Sequence, residues 1–229
     1  MTEDPHTAVV LISGGLDSTV LLHHVIRSLR RSPVHALSFH YGQRHVKELE
    51  CARWQASAAG AAAHRVIDIS CIGEWLKEAT TLLSGGAPVP DLKDLNESQL
   101  AQPPTYVPNR NMMLLSMAAA YAEAQGIRDV FYGAQAQDEY GYWDCTAAFL
   151  ERINHVLALN RNRRVAVQAP FVDMKKAETL RLGVSLGVDF ARTWSCYRGS
   201  EIACGTCPTC IEREEAFILN GSVDPLIKT

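Results

Sequence analysis

Two rhythms of apolar residues alternate along the chain. "AVVLI" (8–12) is a short continuous run of the kind a strand buried on both faces shows. Behind it Leu21, Leu22, Val25, Ile26 and Leu29 recur at the spacing of one helix face. Pro33 stops that helix, and "VHALSF" (34–39) predicts a second strand. "HVKELECARWQASAAG" (45–60) predicts a helix ending at Gly60, followed by a strand at "HRVIDI" (64–69). The same alternation resumes with an apolar helix from about Arg110, a strand at "DVFYGA" (129–134), a helix at "FLERINHVLAL" (149–159), a strand at "VAVQAPF" (165–171) and a helix at "KKAETLRLGVSLG" (175–187). Strands alternating with helices predict an α/β fold with a parallel sheet and right-handed crossovers.

Two segments break the rhythm. Between 84 and 108 lie five of the ten prolines (Pro88, Pro90, Pro103, Pro104 and Pro108), with Gly85, Gly86 and a polar middle. A stretch that long without periodicity is expected to be a lid-like insertion or a disordered one. The tail from Trp194 carries four of the seven cysteines. The expected organisation is one α/β domain over 1–193 and a cysteine-rich tail over 194–229 packed on it.

Composition narrows the function classes. With 229 residues, 47% hydrophobic and 21% charged, the chain has the make-up of a globular protein. Its net charge of -3 lacks the basic footprint of a nucleic-acid binder, and "RNRR" (161–164) reads as a solvated loop. "MTEDPHT" at the start is polar and acidic, unlike a signal peptide. The longest apolar run, "MMLLSMAAAYA" (112–122), is 11 residues against the roughly 20 that span a bilayer. No membrane and a cytoplasmic setting are expected, and in a reducing compartment clustered cysteines point to metal before disulfides.

The candidate chemistry begins with "ISGGLDST" (12–19). A strand that passes through glycines into a helix leaves the first-turn amides without intrahelical partners, and these attract an anion. Gly14 and Gly15 carry no Cβ to block close approach, and Ser18 and Thr19 add hydroxyls. The loop has neither the lysine of G-x-x-x-x-G-K-[ST] nor the spacing of G-x-G-x-x-G. In the tail, Cys204, Cys207 and Cys210 form two overlapping C-x₂-C units, with Cys196 eight residues upstream. Four sulfurs and no open position suit a structural tetrahedral zinc ion. An iron–sulfur cluster is the rival reading. Cys51 and Cys71 read as small buried hydrophobes.

"SGGLDST" resembles the pyrophosphate loop of the ATP pyrophosphatases, whose members cleave ATP between the α and β phosphates. "YGQRH" (41–45), "VPNRN" (107–111), "GYWDC" (141–145), "KKAE" (175–178), "TWSCY" (193–197) and "CGTCPTC" (204–210) then follow in the order seen in the 7-cyano-7-deazaguanine synthase family. The likeness runs from about Ala8 to Phe217. It implies a Rossmann-like sheet of the ATP pyrophosphatase type and a ligase. In such a ligase 7-carboxy-7-deazaguanine is adenylated by ATP with Mg²⁺, ammonia displaces AMP, and the resulting amide is activated again and collapses to a nitrile. The implied nucleotide contacts are Ile12, Ser13, Gly14, Gly15, Leu16, Asp17, Ser18, Thr19, Tyr41, Gln43 and Arg44. Asp17, Ser18, Arg110 and Lys176 would act on the phosphates, since arginine and lysine suit phosphate oxygens. Arg110, Asn111, Asp138, Tyr142, Trp143 and Asp144 would hold the deazapurine, with the carboxylates reading its N–H edge and the aromatics stacking on its ring. Cys145 is expected to be a structural thiol rather than a nucleophile. A homo-oligomer, a dimer, is expected.

This chain departs from the family at Gln135, Tyr140, Trp143 and Thr146, all in one expected substrate loop. A second reading therefore stands beside the first: the activated deazaguanine passes to another nucleophile, such as an amine of a partner protein.

Overall fold

The computed structural model describes residues 6–136 and 141–227. Five strands, β1 (Ala8–Leu11), β2 (Val34–His40), β3 (Ala63–Asp68), β4 (Asp129–Phe131) and β5 (Ala166–Gln168), form one parallel sheet in the order β3-β2-β1-β4-β5. Ala8 is in register with Val34 on one side and Asp129 on the other. Strand order therefore reverses at β1. In open α/β sheets the crevice beyond the carboxyl ends of strands at such a point is where ligands bind.

Eight α-helices accompany the strands among the described residues: α1 (Leu16–His23), α2 (Lys47–Ala59), α3 (Cys71–Leu76), α4 (Glu97–Ala101), α5 (Arg110–Gln125), α6 (Ala147–Leu157), α7 (Lys176–Ser185) and α8 (Pro208–Leu219). Successive residues of β1 feed opposite faces. Ala8 and Val10 pack with Val20 and Leu21 of α1, Ala52 of α2, Leu180 of α7 and Phe217 of α8. Val9 packs with Leu115 and Ala118 of α5 and Phe149 of α6. A strand covered on both faces has no polar side to show, which is why "AVVLI" is unbroken.

Every strand of the periodic reading is present, with β4 and β5 shorter than their apolar runs. Beyond Tyr132, whose N–H still donates to the Gln168 carbonyl at 3.0 Å, the chain leaves the ladder and runs to the segment before α7, where the Ala136 N–H donates to the Met174 carbonyl at 3.1 Å. Helices α3, α4 and α8 are elements the periodic reading lacked, although Pro208 at the first turn of α8 and the inward Ala216 and Phe217 mark that one. The proline-rich stretch holds α4, capped by Asn96 and Gln99. It is tied down at several points. Arg44 donates to the carbonyls of Thr81, Gly86 and Ala87. Arg198 pairs with Asp91, the Leu92 N–H donates to Thr206 O at 3.0 Å, and Val89 is buried beside the tail cysteines.

The tail is anchored in turn. The Trp194 N–H donates to the Gly14 carbonyl at 2.9 Å. Arg213 on α8 is buried, with Nε 2.7 Å and Nη2 3.0 Å from the two oxygens of the equally buried Asp224. Its other donors go to Thr193 Oγ1, Ser195 Oγ and Phe190 O, so the charge is fully bonded. No helix among the described residues is long and apolar enough to cross a membrane.

Candidate active site

Between β1 and α1 the chain turns in a shape that only glycine permits. Gly14 has φ +93°, and a Cβ there would stand 2.0 Å from the Glu48 carbonyl oxygen and 2.6 Å from the Ala52 nitrogen of α2. The loop is knit by its serines. Ser18 Oγ accepts from the Ser13 N–H at 3.1 Å and lies 3.0 Å from Ser13 Oγ, which accepts from the Gly15 N–H at 3.2 Å. The first-turn amides and positive dipole end of α1 thus open beyond the carboxyl edge of the sheet.

Asp17 on α1 meets Lys176 at the start of α7, Oδ2 to Nζ 3.1 Å, and Lys176 also bonds Glu212 of α8 at 3.0 Å. Gln135 closes the group. With its amide turned so that each atom faces an opposite partner, it donates to Asp17 Oδ1 at 2.9 Å and accepts from Lys176 Nζ at 2.9 Å. Burial disfavours the Lys176 charge, but Asp17 and Glu212 outweigh it and hold the ammonium above its ordinary pKa.

Two adjoining cavities open over this group. One of about 140 Å³ is lined by Ser13, Gly15, Leu16, Asp17, Glu48, Lys176, Glu212, Thr209, Tyr142 and Tyr197. The other, about 240 Å³, runs along the ends of β1, β2 and β4 past Ile12, Ser18, Phe39, Tyr41, His45, Arg110, Asn111, Tyr132 and Cys145. Ser13, Gly15, Asp17, Glu48 and Tyr197 border both. Arg110 lies over the Tyr41 ring, 5.8 Å from its centroid, and donates to the Tyr41 hydroxyl at 3.4 Å. Burial works against its charge, yet the oxygens of Tyr41, Tyr197 and Asp144 prevail and keep the guanidinium cationic. Burial pushes the Tyr41 hydroxyl up to about 12, so it stays protonated. Burial, helped by Asp144, likewise pushes the Cys145 thiol up to about 12, which makes it a poor nucleophile at neutral pH.

Several expected contacts lie elsewhere. Gln43 is buried, accepting from the Tyr41 N–H and donating to Phe39 O and Glu48 Oε1. Arg44 is spent on the carbonyls that hold 81–87, so neither side chain borders the cavities. The Thr19 hydroxyl is buried inside α1 with no partner among the described residues. Trp143 is on the outer surface, 42% exposed, with its ring edge-on to Phe149 and its Nε1–H on Tyr106. It does not stack in the cavity. Asp144 is buried beneath the start of α5, where its Oδ2 accepts from the Asn111 N–H at 3.4 Å, and it borders neither cavity. Thr146 caps α6, accepting from the Phe149 N–H at 3.2 Å. Asp138 and Tyr140 lie outside the described residues. Of the four departures, Gln135 belongs to the Asp17–Lys176 group and Trp143 and Thr146 to the scaffold of α6.

Glu48, Glu212 and Tyr197 are cavity residues the sequence reading lacked. Glu212 had a faint signal, two positions beyond Cys210 on a helix that a proline begins.

Beside the cavities, the sulfurs of Cys196, Cys204, Cys207 and Cys210 lie within 4.8 Å of one another. Two are already solvated by main-chain amides: Cys196 Sγ accepts from the Cys204 N–H at 3.4 Å and Cys204 Sγ from the Cys207 N–H at 3.3 Å. Ligands about 2.3 Å from one tetrahedral ion stand roughly 3.8 Å apart, so the cage fits a single metal. An iron–sulfur cluster interposes several atoms and needs a wider cage.

A family model described as Queuosine biosynthesis protein QueC matches residues 7–221. The chain belongs to this family. Within the QueC family it is 44% identical over 222 residues to the 7-cyano-7-deazaguanine synthase of Hahella chejuensis, covering 97% of this chain and 93% of that protein. It is equally 44% identical to the synthase of Caldicellulosiruptor bescii, with 96% of each chain covered. The synthase of Archaeoglobus fulgidus is also 44% identical, over 96% of this chain and 89% of its own. Among solved structures, an NMN synthetase from Francisella tularensis superposes with a TM-score of 0.50 and 15% identity over 95% of this chain and 78% of its own. That likeness speaks to the fold alone. As a QueC family member the chain is an enzyme.

Proposed function

We propose that this enzyme is an ATP-dependent ligase that converts 7-carboxy-7-deazaguanine and ammonia to 7-cyano-7-deazaguanine through adenylated intermediates. What carries the reading is the meeting of the glycine–serine loop, Lys176 and Arg110 around one pair of cavities, in a chain 44% identical to synthases of that name.

The chemistry makes good leaving groups from poor ones. A carboxylate oxygen attacks the α-phosphorus of ATP and pyrophosphate leaves. Ammonia then adds to the carbonyl carbon and AMP leaves, giving an amide. The amide oxygen attacks the α-phosphorus of a second ATP and a second pyrophosphate leaves; loss of that oxygen as AMP, with the nitrogen's protons, leaves the nitrile.

The departing pyrophosphate is held by the amides at the start of α1 and by Ser13 and Ser18, and the Lys176 ammonium, its hydrogens kept on Asp17, Glu212 and Gln135, acts on it as a nearby positive charge. Tyr41 and Arg110 face the reacting carboxylate, with the guanidinium supplying a planar pair of donors to the anion. Asn111, Tyr142 and Tyr197 flank the ring. Asp17 and Glu212 are the carboxylates that would hold Mg²⁺, which would supply neutralising charge. Zn²⁺ suits the four tail thiolates as a closed structural site that fixes α8. Cys145, protonated and bonded by Asn111, has no covalent part.

Trp143 and Thr146 in the scaffold account for two of the four departures, and the relatives named as the nitrile synthase favour free ammonia over a different acceptor. Incubation with 7-carboxy-7-deazaguanine, ATP, Mg²⁺ and ammonium, followed by mass spectrometry, tests the reading. AMP, pyrophosphate and a nitrile are expected. ADP with phosphate, or no turnover by protein with its metal in place, contradicts it.

A further inference from the structure

Lys176 has three N–H donors, and all three are engaged inside the protein: Asp17 at 3.1 Å, Glu212 at 3.0 Å and Gln135 at 2.9 Å. Two of these partners are charged. The third is a neutral amide with only 2% of its surface exposed. An amide can donate to a carboxylate and accept from an ammonium with one planar group, and it adds no charge while doing so. Gln135 does both, and so fixes the free oxygen of Asp17 as well as the third hydrogen of Lys176.

Its placement follows from the fold. Beyond β4 the chain runs so close under α1 that a Cβ on Gly133 would lie 3.3 Å from the Ser18 nitrogen and 3.4 Å from its Cα. Three residues later the main chain is pinned to the segment just before α7 by the Ala136 N–H on Met174 O. Gln135 is therefore held between α1 and α7, the two helices whose first turns carry Asp17 and Lys176.

We infer that Gln135 is a positioning residue for phosphoryl chemistry, an uncharged clamp that sets the distance and orientation of Asp17 and Lys176. This rests on the ligase reading above. Without the clamp, Asp17 and Lys176 keep their attraction but lose a defined orientation. The loss falls on the step in which charge builds on the departing pyrophosphate, more than on ATP capture.

The test uses the full enzyme with Gln135→Leu and Gln135→Glu, assayed for pyrophosphate release with carboxydeazaguanine and ammonium. Gln135→Leu is expected to lower kcat about ten- to a hundredfold, the effect of losing hydrogen bonds to charged groups, with KM for ATP nearly unchanged. Gln135→Glu keeps the shape and places a carboxyl facing Asp17, Lys176 and Glu212. Ionised, it cannot donate to Asp17; protonated, it can. Its activity relative to wild type is expected to rise as pH falls, a trend a merely space-filling role does not produce.

If both variants match wild type, or if Gln135→Glu is impaired equally at every pH, the inference is overturned. Should Gln135→Leu fail to fold, the pH profile of Gln135→Glu decides. If the wild-type enzyme itself releases no pyrophosphate, the ligase reading fails separately. A crystal structure of Gln135→Glu at high pH still judges the clamp. Lys176 displaced from Asp17 supports it, and an unmoved pair overturns it.

Discussion

The two walls of the cavity are built by different means. One wall is the end of the sheet: the Ser13–Ser18 turn, Tyr41 and Arg110 stand on strands and long helices whose cores are buried on both faces. The other wall is Thr209, Glu212 and Tyr197, carried by a tail whose small apolar cluster is made largely of cysteines, with Val89 and Trp194. Yet Lys176 reaches into both, bonding Asp17 on one side and Glu212 on the other. The comparison teaches that Lys176 depends on a packed core and on a metal-type cage at once. Each can be disturbed separately.

The largest effect is expected at the sheet wall. Asp17→Ala should lower the rate of pyrophosphate release on the order of a hundred- to a thousandfold, the scale of losing one preorganised electrostatic group. Far-UV circular dichroism and bound metal should stay as in wild type. Stripping the tail metal with a chelator should act from the other side. The cage would open and α8 would loosen, and ATP binding by calorimetry should weaken, while the dichroism of the sheet and its helices largely persists. If ATP binding were untouched, the two walls would be independent.

Asp224→Ala leaves the buried Arg213 charge without its partner and should cost about 3–5 kcal/mol of stability in denaturant unfolding. Acid probes the sheet half more diffusely. Burial holds His23, His24, His35 and His64 below their ordinary pKa of 6.5. As pH falls through 6.5, the unfolded chain binds protons that the folded one resists. The stability they allow is thus complete above that pH and declines below it, which denaturant midpoints at pH 7.5 and 5.5 would show. The smallest effect belongs to Thr146→Ala, a lost cap worth about 1 kcal/mol with KM for the deazaguanine unchanged. A changed KM would return Thr146 to the substrate loop.

The sheet wall was the more legible of the two in the sequence. A strand buried on both faces advertises itself as an unbroken apolar run, and the first glycine of the turn is forced by α2, since a Cβ on Gly14 would stand 2.0 Å from the Glu48 carbonyl oxygen. The cysteines were equally plain from spacing, and their four sulfurs do gather. What escaped were contacts between segments far apart in the chain. Nothing local to Glu212 says that it meets Lys176, and nothing around Arg44 says that its guanidinium serves the carbonyls of 81–87 instead of a phosphate. Trp143 and Asp144 are neighbours in one motif, yet one lies on the surface and the other beneath α5. A motif fixes residue identity and order, while the direction of each side chain is decided by the helix start that follows it.

The central claim is that the turn after β1 grips the outer phosphates of ATP. A crystal structure with a non-hydrolysable ATP analogue and Mg²⁺ tests it most directly. The account predicts the β and γ phosphates against the main-chain amides of 14–18, on the side of the turn where Lys176 is clamped by Asp17, Glu212 and Gln135. A nucleotide bound elsewhere, with this turn filled only by solvent, would contradict it.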